Sequence, residues 1–293
     1  MTTNVLPDSP FSKSSASSAS SASTRLAPRL PSVLGVVTAL AGRDLRRFFR
    51  QPSRVVGSIA QPLILWAVLG AGLGDSFSVV SAPGMPYLTY FYPGTVVLTM
   101  LFTAIFSTMS VIDDRHHGFL QAVLVAPVSR TALVLGKTAG GVTIALLQAA
   151  ALIALSPLAG FSLTSIDYPL IVATLTGTAV GFTALGFAVA WWIDSTQGYH
   201  GIMSVALIPL WMLSGAMFPA SGSHGWIRTI MALNPMTYAV SAVRRGLGGG
   251  AGGTAHVGAL LVSWSSPALE LGVTAVFAIL AVWAAAALCR RRA

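Results

Sequence analysis

Three groupings in the sequence carry residue types that could do chemistry. Gly136-Lys137-Thr138 reads like the end of a phosphate-cradling loop, in which backbone N–H groups and a lysine hold a nucleotide's phosphates. That pattern needs glycine five residues before Gly136, and the position holds Thr131. The triplet also opens a long apolar stretch instead of following a buried strand, so nucleotide binding by this chain is not expected. His116 and His117 follow Asp113 and Asp114, residue types that ligate metals. Adjacent imidazoles on a helix project in different directions, and the chain's one cysteine is the distant Cys289. A solvated loop without metal is the expectation. Ser214 with His256 supplies the types for a nucleophile and its base. His256 lies in a glycine-rich stretch, and nothing around Ser214 has the pattern of a nucleophile. No catalytic residue is assigned.

The elements that would have to position such groups are unusual. Hydrophobic residues make up 54% of the 293-residue chain and charged residues 9%, against about 25% charged in soluble domains. A globule of this length could not cover its surface, which excludes an ordinary soluble enzyme, and a disordered chain needs the opposite composition. The formal charge of +9 in so apolar a chain points to membrane orientation before nucleic acid. The single cysteine excludes a disulfide framework.

Charges are absent from Val55 to Gly74, Ser76 to Ile112, Thr138 to Ile166, Tyr168 to Ile193, Ser195 to Ile227 and Leu271 to Cys289. A bilayer span needs roughly 20 apolar residues. These runs predict an all-α membrane protein with six transmembrane helices at about 55–74, 88–112, 139–161, 168–193, 202–220 and 267–288. Pro62, Pro93, Pro157 and Pro209 lie in or at the ends of spans, where neighbouring groups can satisfy freed carbonyls. Gly70 with Gly74, and Gly177 with Gly181, have the spacing of close helix contacts, although glycine is frequent throughout. Residues 1–32, rich in Ser and Ala, form an expected disordered tail ahead of a membrane domain at 33–293. No basic region followed by a long apolar core marks a signal peptide, and Val33 to Ala41 is too short to cross.

Before the first span, Leu45, Phe48 and Phe49 repeat at helical spacing among Arg43, Arg46, Arg47 and Arg50. An amphipathic interfacial helix is expected there, with its arginines on lipid phosphate. With six spans both termini share a side, and fourteen of the 17 basic residues fall on that side, leaving Arg228, Arg244 and Arg245 opposite. The positive-inside rule then makes the termini cytoplasmic. Tyr87, Tyr90, Phe91 and Tyr92, and Trp191 with Trp192, are placed as interface anchors. Glu270 is the one ionisable residue read as lying within a span. Ion-coupled carriers need buried ionisable groups, so movement of a solute would draw its energy from elsewhere.

Two segments carry more. On the cytoplasmic side, the apolar stretch Phe119 to Val125 is flanked by Asp113, Asp114, Gly118, Pro127 and Arg130. Seven residues cannot span, so this helix needs a protein groove or the membrane interface. On the outer side, Ile230 to Val243 is apolar but interrupted by Asn234-Pro235, which suggests a re-entrant hairpin in place of a crossing.

Together these segments resemble the type 2 ABC exporter permeases, the membrane subunits of ABC-2 transporters. The likeness rests on Asp114, Gly118, Leu120, Pro127, Ser129, Arg130, Gly136 and Lys137, and then on Ser214, Gly215, Pro219, Leu233, Asn234, Pro235, Thr237, Tyr238 and Arg244. It runs from about Leu40 to Arg292 and is nearest to the drug and lipo-oligosaccharide export branch, which includes multidrug efflux. Gln121 stands where the family often has Glu, and the run Gly248 to Gly253 loosens the outer loop.

The resemblance implies a multi-pass permease of a bacterial inner membrane, paired as a homodimer or with a related permease. It would be served by two copies of a cytoplasmic ABC ATPase that carries the ATP and Mg, with no cofactor on this chain. Asp113, Asp114, Gly118, Phe119, Leu120, Pro127 and Arg130 would form the coupling segment. Arg43, Arg46, Arg47, Phe48 and Phe49 would form the interfacial helix, and Asn234, Pro235 and Tyr238 the outer hairpin. Trp211, Met212 and Ser214 would line the substrate pathway. The cargo would be an amphipathic drug, lipid or lipid-linked glycan; nucleic acid is not an expected partner. The alternatives are a non-transporting membrane scaffold or insertion factor, and an intramembrane enzyme.

Overall fold

The computed structural model describes residues 32–73, 85–120, 129–220, 223–248 and 265–291. The serine-rich tail, Pro127, the 248–253 glycine run beyond Gly248, and His256 lie outside them. Every regular element among the described residues is helical, and six helices are long and apolar enough to cross a membrane.

Helix α1 spans Val33–Phe49 and joins into one rod the short apolar stretch and the arginine-rich segment that follows it. Ser32 starts it by accepting a hydrogen bond from the Gly35 N–H at 3.1 Å. It ends at Arg50, and Pro52 opens α2 (Pro52–Leu73), as expected of a residue with no N–H to donate. Helix α3 (Tyr87–Ser107) runs through a turn at Thr108 into α4 (Met109–His116). Helix α5 (Arg130–Ala154) is capped by Ser129. It starts nine residues before the expected span, taking in Lys137, which is buried against its ion-pair partners. Helix α6 (Tyr168–Trp192) is capped by Asp167. Helix α7 (Thr196–Trp211) ends in one wide turn, Met212–Ala216, where Gly215 adopts φ +79°, a left-handed conformation suited to glycine. Helices α8 (Gly225–Leu233) and α9 (Pro235–Leu247) meet at Asn234, and α10 spans Pro267–Arg291.

Helix α6 occupies the centre, against α10, α5, α3 and α9, and α1 lies along α5. Gly181 lets α6 and α10 approach: a Cβ there would overlap the Phe277 ring. Helices α2 and α10 leave broad apolar faces exposed, including Val56, Ile64 and Val68 on one and Val276, Ile279 and Trp283 on the other. Such faces suit hydrocarbon, not water.

The aromatic cluster at the start of α3 is core, not an interface belt. Tyr87, Tyr90, Phe91 and Tyr92 are all buried, and their hydroxyls go to carbonyls where helices break. Tyr90 donates to Gly215 O at 2.9 Å, Tyr87 to Met217 O at 3.5 Å, and Tyr92 to Leu152 O. Without water, every freed carbonyl needs an internal donor, and a buried tyrosine has one to give.

Candidate functional site

At the α1 end of the bundle, three acids and three bases meet from three helices. Asp44 on α1 and Asp114 on α4 both contact Lys137 on α5, whose Nζ lies 3.0 Å and 2.6 Å from their carboxylates. Ser110 Oγ accepts a third bond from Lys137 at 3.2 Å. Arg43 pairs with Asp114 and lies 3.5 Å from Asp44. Arg47 is 3.0 Å from Asp113 and 4.0 Å from Asp114. Lys137 is only 3% exposed, and a lysine that deep persists charged only if paired. The packing that allows this is local: a Cβ on Gly136 would sit 2.8 Å from Leu40, and one on Gly140 would sit 3.2 Å from Asp44 Cβ. The two glycines flank Lys137 and draw α1 onto α5.

Three of the sequence-derived coupling residues, Asp113, Asp114 and Phe119, meet at this junction. Asp113 and Asp114 belong to it, and the Arg43 guanidinium sits 3.9 Å over the Phe119 ring. Leu120 is buried and Gly118 half-buried just beyond α4. Arg130 is elsewhere, donating to the Arg290 carbonyl at 3.1 Å and so tying α5 to the end of α10. In α1, Phe48 is buried, Phe49 and Arg46 are exposed, and Arg46 returns to its own helix at Gly42 O. Arg43 and Arg47, expected at lipid phosphate, instead hold aspartates. Trp191 is buried with Arg115 above it at 5.5 Å, while Trp192 is exposed.

The opposite end is built around one acid. Glu270 on α10 is fully buried. It accepts bonds from Arg245 at 3.0 and 3.2 Å, from Ser241 at 2.7 Å and from Ser265 at 2.5 Å. Beside it Arg244 stacks over Tyr90 at 4.5 Å and donates to Gly215 O at 3.1 Å. Asn234 joins three elements: its Oδ1 caps α9 at Met236 N, 2.9 Å away. Its Nδ2 donates to Leu210 O at 2.6 Å and Leu213 O at 3.3 Å. Pro235 opens α9, and Tyr238 bonds Ala232 O at 2.8 Å.

Between the spans lies a cavity of about 690 Å³, reaching from the middle of the bundle to the α1-end junction. Ligand pockets commonly hold about 300–1,000 Å³. The cavity's apolar lining includes Leu65, Leu98, Phe102, Phe106, Ile144 and Ile208. Ser58, Gln61, Thr99, Thr103, Gln148 and Ser204 supply uncharged hydrogen-bonding groups. Gln148 on α5 clips three spans together, donating to Ser58 Oγ at 2.6 Å and accepting from Thr103. Asp44, Arg47 and Asp113 close the end nearest α1.

Trp211, Met212 and Ser214 do not line this cavity. Trp211 is buried, donating to Gly94 O at 2.9 Å; Ser214 is buried on Trp211 O at 2.5 Å; Met212 is exposed. They build the wide turn after α7. The residues that charge counting missed were Lys137 and Asp44 as partners, and the uncharged polar stripe of the cavity. A signal existed for each: Gly136 and Gly140 flank Lys137 at close-contact spacing, and Thr95, Thr99 and Thr103 repeat every fourth residue along one side of an otherwise apolar helix.

Fold and site define a polytopic, all-helical membrane protein with a cavity between its spans and an ion-paired junction at the cavity's end. The chain belongs to the ABC-2 type transporter family, whose model matches residues 36–247. It is 28% identical over 215 residues to a putative transport permease, ycf38, of Porphyra purpurea, covering 72% of this chain and 74% of the relative. It is 27% identical over 241 residues to nodulation protein J of Rhizobium meliloti, covering 81% and 86% respectively. The corresponding ycf38 permease of Cyanophora paradoxa is 27% identical over 198 residues, covering 67% and 68%.

Proposed function

We propose that this chain is the membrane subunit of an ATP-driven exporter, working as a pair of permeases with two copies of a separate cytoplasmic ATPase. The observation that carries the reading is the cavity whose α1 end is lined by Asp44, Arg47 and Asp113, residues of the ion-paired junction with Lys137 and Asp114. A solute space inside the spans ends on the helices that bear the coupling segment. Movement imposed on α4 from outside the membrane would reach α1 and α5 through shared ion pairs, and through them the cavity wall. Family membership supports the separate motor, since the chain has no complete phosphate-binding loop of its own. The positive-inside charge pattern supports cytoplasmic termini in a bacterial inner membrane, with the Asn234–Pro235 hairpin on the outer side.

The cargo is amphipathic, matching a cavity lined by both apolar and uncharged hydrogen-bonding side chains. The test is reconstitution in proteoliposomes with an ABC-type ATPase that copurifies from the native membrane. ATP hydrolysis rising on assembly, together with ATP-dependent uptake of an amphipathic compound into inside-out vesicles, is expected. ATPase activity indifferent to this chain would overturn the reading.

A further inference from the structure

The start of α5 and the end of α10 bring two arginines together. Arg130 on α5 donates to the Arg290 carbonyl at 3.1 Å, and the Arg290 guanidinium lies 3.5 Å from Thr131 Oγ1. Each arginine thus reaches the other's helix, with unequal results. Arg130 puts a cation on the carbonyl end of α10, which the helix dipole favours; Arg290 puts one at the N–H end of α5, which it opposes. The first turn of α5 holds no Asp or Glu to offset this. Among the described residues neither arginine pairs with a carboxylate, because every described acid is engaged elsewhere. Asp44, Asp113 and Asp114 belong to the α1 junction, Arg115 holds Asp194, Arg245 holds Glu270, and Asp167 caps α6. Two guanidiniums left in this way favour an anion, and phosphate suits their planar forks best.

The neighbouring surface says what carries that phosphate. Val276, Ile279, Leu280 and Trp283 form an exposed apolar stripe on α10. Arg290 is exposed seven residues beyond Trp283, about two turns along the same face and roughly 10 Å farther. Tryptophan prefers the edge of the hydrocarbon, so a guanidinium that far beyond it reaches headgroup depth. Arg130, Arg290 and the stripe all lie off the cavity between the spans.

We propose that Arg130, Arg290 and the α10 stripe form a binding site for an anionic phospholipid that is structural and not cargo. Its phosphate lies between the two guanidiniums, and one acyl chain runs along Trp283, Leu280 and Ile279. Bound there, the lipid joins α5 to α10. Because α5 carries Lys137, headgroup charge in the surrounding leaflet then sets how firmly the helix at the centre of the ion-paired junction is held. A free phosphate ion or an acidic protein surface would meet the arginines but leave the stripe unused. That the leaflet is the inner one rests on the cytoplasmic placement of the termini proposed above; the binding chemistry does not.

The experiment uses the full chain in phosphatidylcholine nanodiscs doped with one of two photoreactive lipids, phosphatidylglycerol or phosphatidylcholine, each with a diazirine at the same acyl position. Adducts are mapped by mass spectrometry. Phosphatidylglycerol is expected to label residues 276–283 at least about tenfold above phosphatidylcholine, since each arginine near an anionic headgroup contributes about fivefold. Arg290→Gln should cut that preference about fivefold at an unchanged unfolding temperature, because the side chain is exposed. Arg290→Lys should keep most of it, and Arg130→Gln should lower it as Arg290→Gln does. Excess free glycerol phosphate should not compete, because the stripe is part of the site.

Equal labelling by the two lipids, or a preference indifferent to Arg290→Gln, overturns the inference. So does full competition by glycerol phosphate, which would leave an anion site without a lipid, or a stripe that neither probe reaches, which would mean that a second copy covers it. Because no ATPase is present, selective labelling without ATP-driven transport would fail the exporter reading alone. Transport with no selective labelling would fail this inference alone.

Discussion

At the α1 end, Lys137, Arg43 and Arg47 each lie within ion-pair distance of two carboxylates. At the opposite end one carboxylate, Glu270, is held by Arg245 and two serines. The first network links residues up to 93 positions apart in the chain, and each of its cations has a second carboxylate within reach. The second links Ser241, Arg245, Ser265 and Glu270, with every partner fixed. A shared network tolerates sliding of one helix on another, whereas a saturated single acid resists it. On this difference we base the proposal that the junction of α1, α4 and α5 moves while the junction of α9 and α10 anchors.

The sharpest way to break that comparison is Lys137→Met. Removing the common cation leaves Asp44 and Asp114 crowded and under-paired in a buried site, which costs about 3–5 kcal/mol. A large fall in the unfolding temperature in nanodiscs is expected. Adding Asp44→Asn to Lys137→Met should recover part of the loss, because the two residues touch. Adding Glu270→Gln should simply sum, since the two networks share no partner. Coupling of the same size in both pairs would erase the distinction between the ends.

Glu270→Gln alone comes next, at about 2 kcal/mol, the scale of hydrogen bonds to a charged group. Arg245 is partly exposed and can recover some solvent. Asn234→Ser keeps an α9 cap but loses the reach to Leu210 O and Leu213 O. It should cost about 1 kcal/mol and raise hydrogen exchange around the wide turn after α7. Arg46→Gln is the baseline: exposed and, among the described residues, bonded only within its own helix, it should stay within about 0.5 kcal/mol. A loss there comparable to Lys137→Met would restore the lipid-phosphate role expected for the arginines of α1.

The six spans were legible because hydrocarbon imposes one rule, long uncharged apolar runs, and the sequence obeys it in plain view. The site was only partly so. Asp113, Asp114, Gly118 and Asn234 stood out by their flanking pattern, but what Asn234 grips, two carbonyls more than 20 residues earlier, depends on how α7 ends. Tyr90 and Tyr92 misled because an aromatic near a span end is either a belt residue or a donor to a broken helix. Only tertiary contact decides between them. Lys137 was hidden by its own neighbours: set beside Gly136 and Thr138 it invites a nucleotide reading, and its partners Asp114 and Asp44 come from two other helices, the latter 93 residues away.

The central claim is that α4 and its continuation receive force from a separate ATPase. It is tested most directly by isolating the chain from its native membrane with its partner and measuring ATP hydrolysis. The wild type, Glu270→Gln and the exposed pair His116→Glu with His117→Glu should be compared. The account predicts that the wild type and Glu270→Gln carry an ATP-hydrolysing subunit, and that the histidine variant, equally stable, loses it. Retention of that subunit at wild-type level by the histidine variant, or no ATP hydrolysis in any of the three, would contradict it.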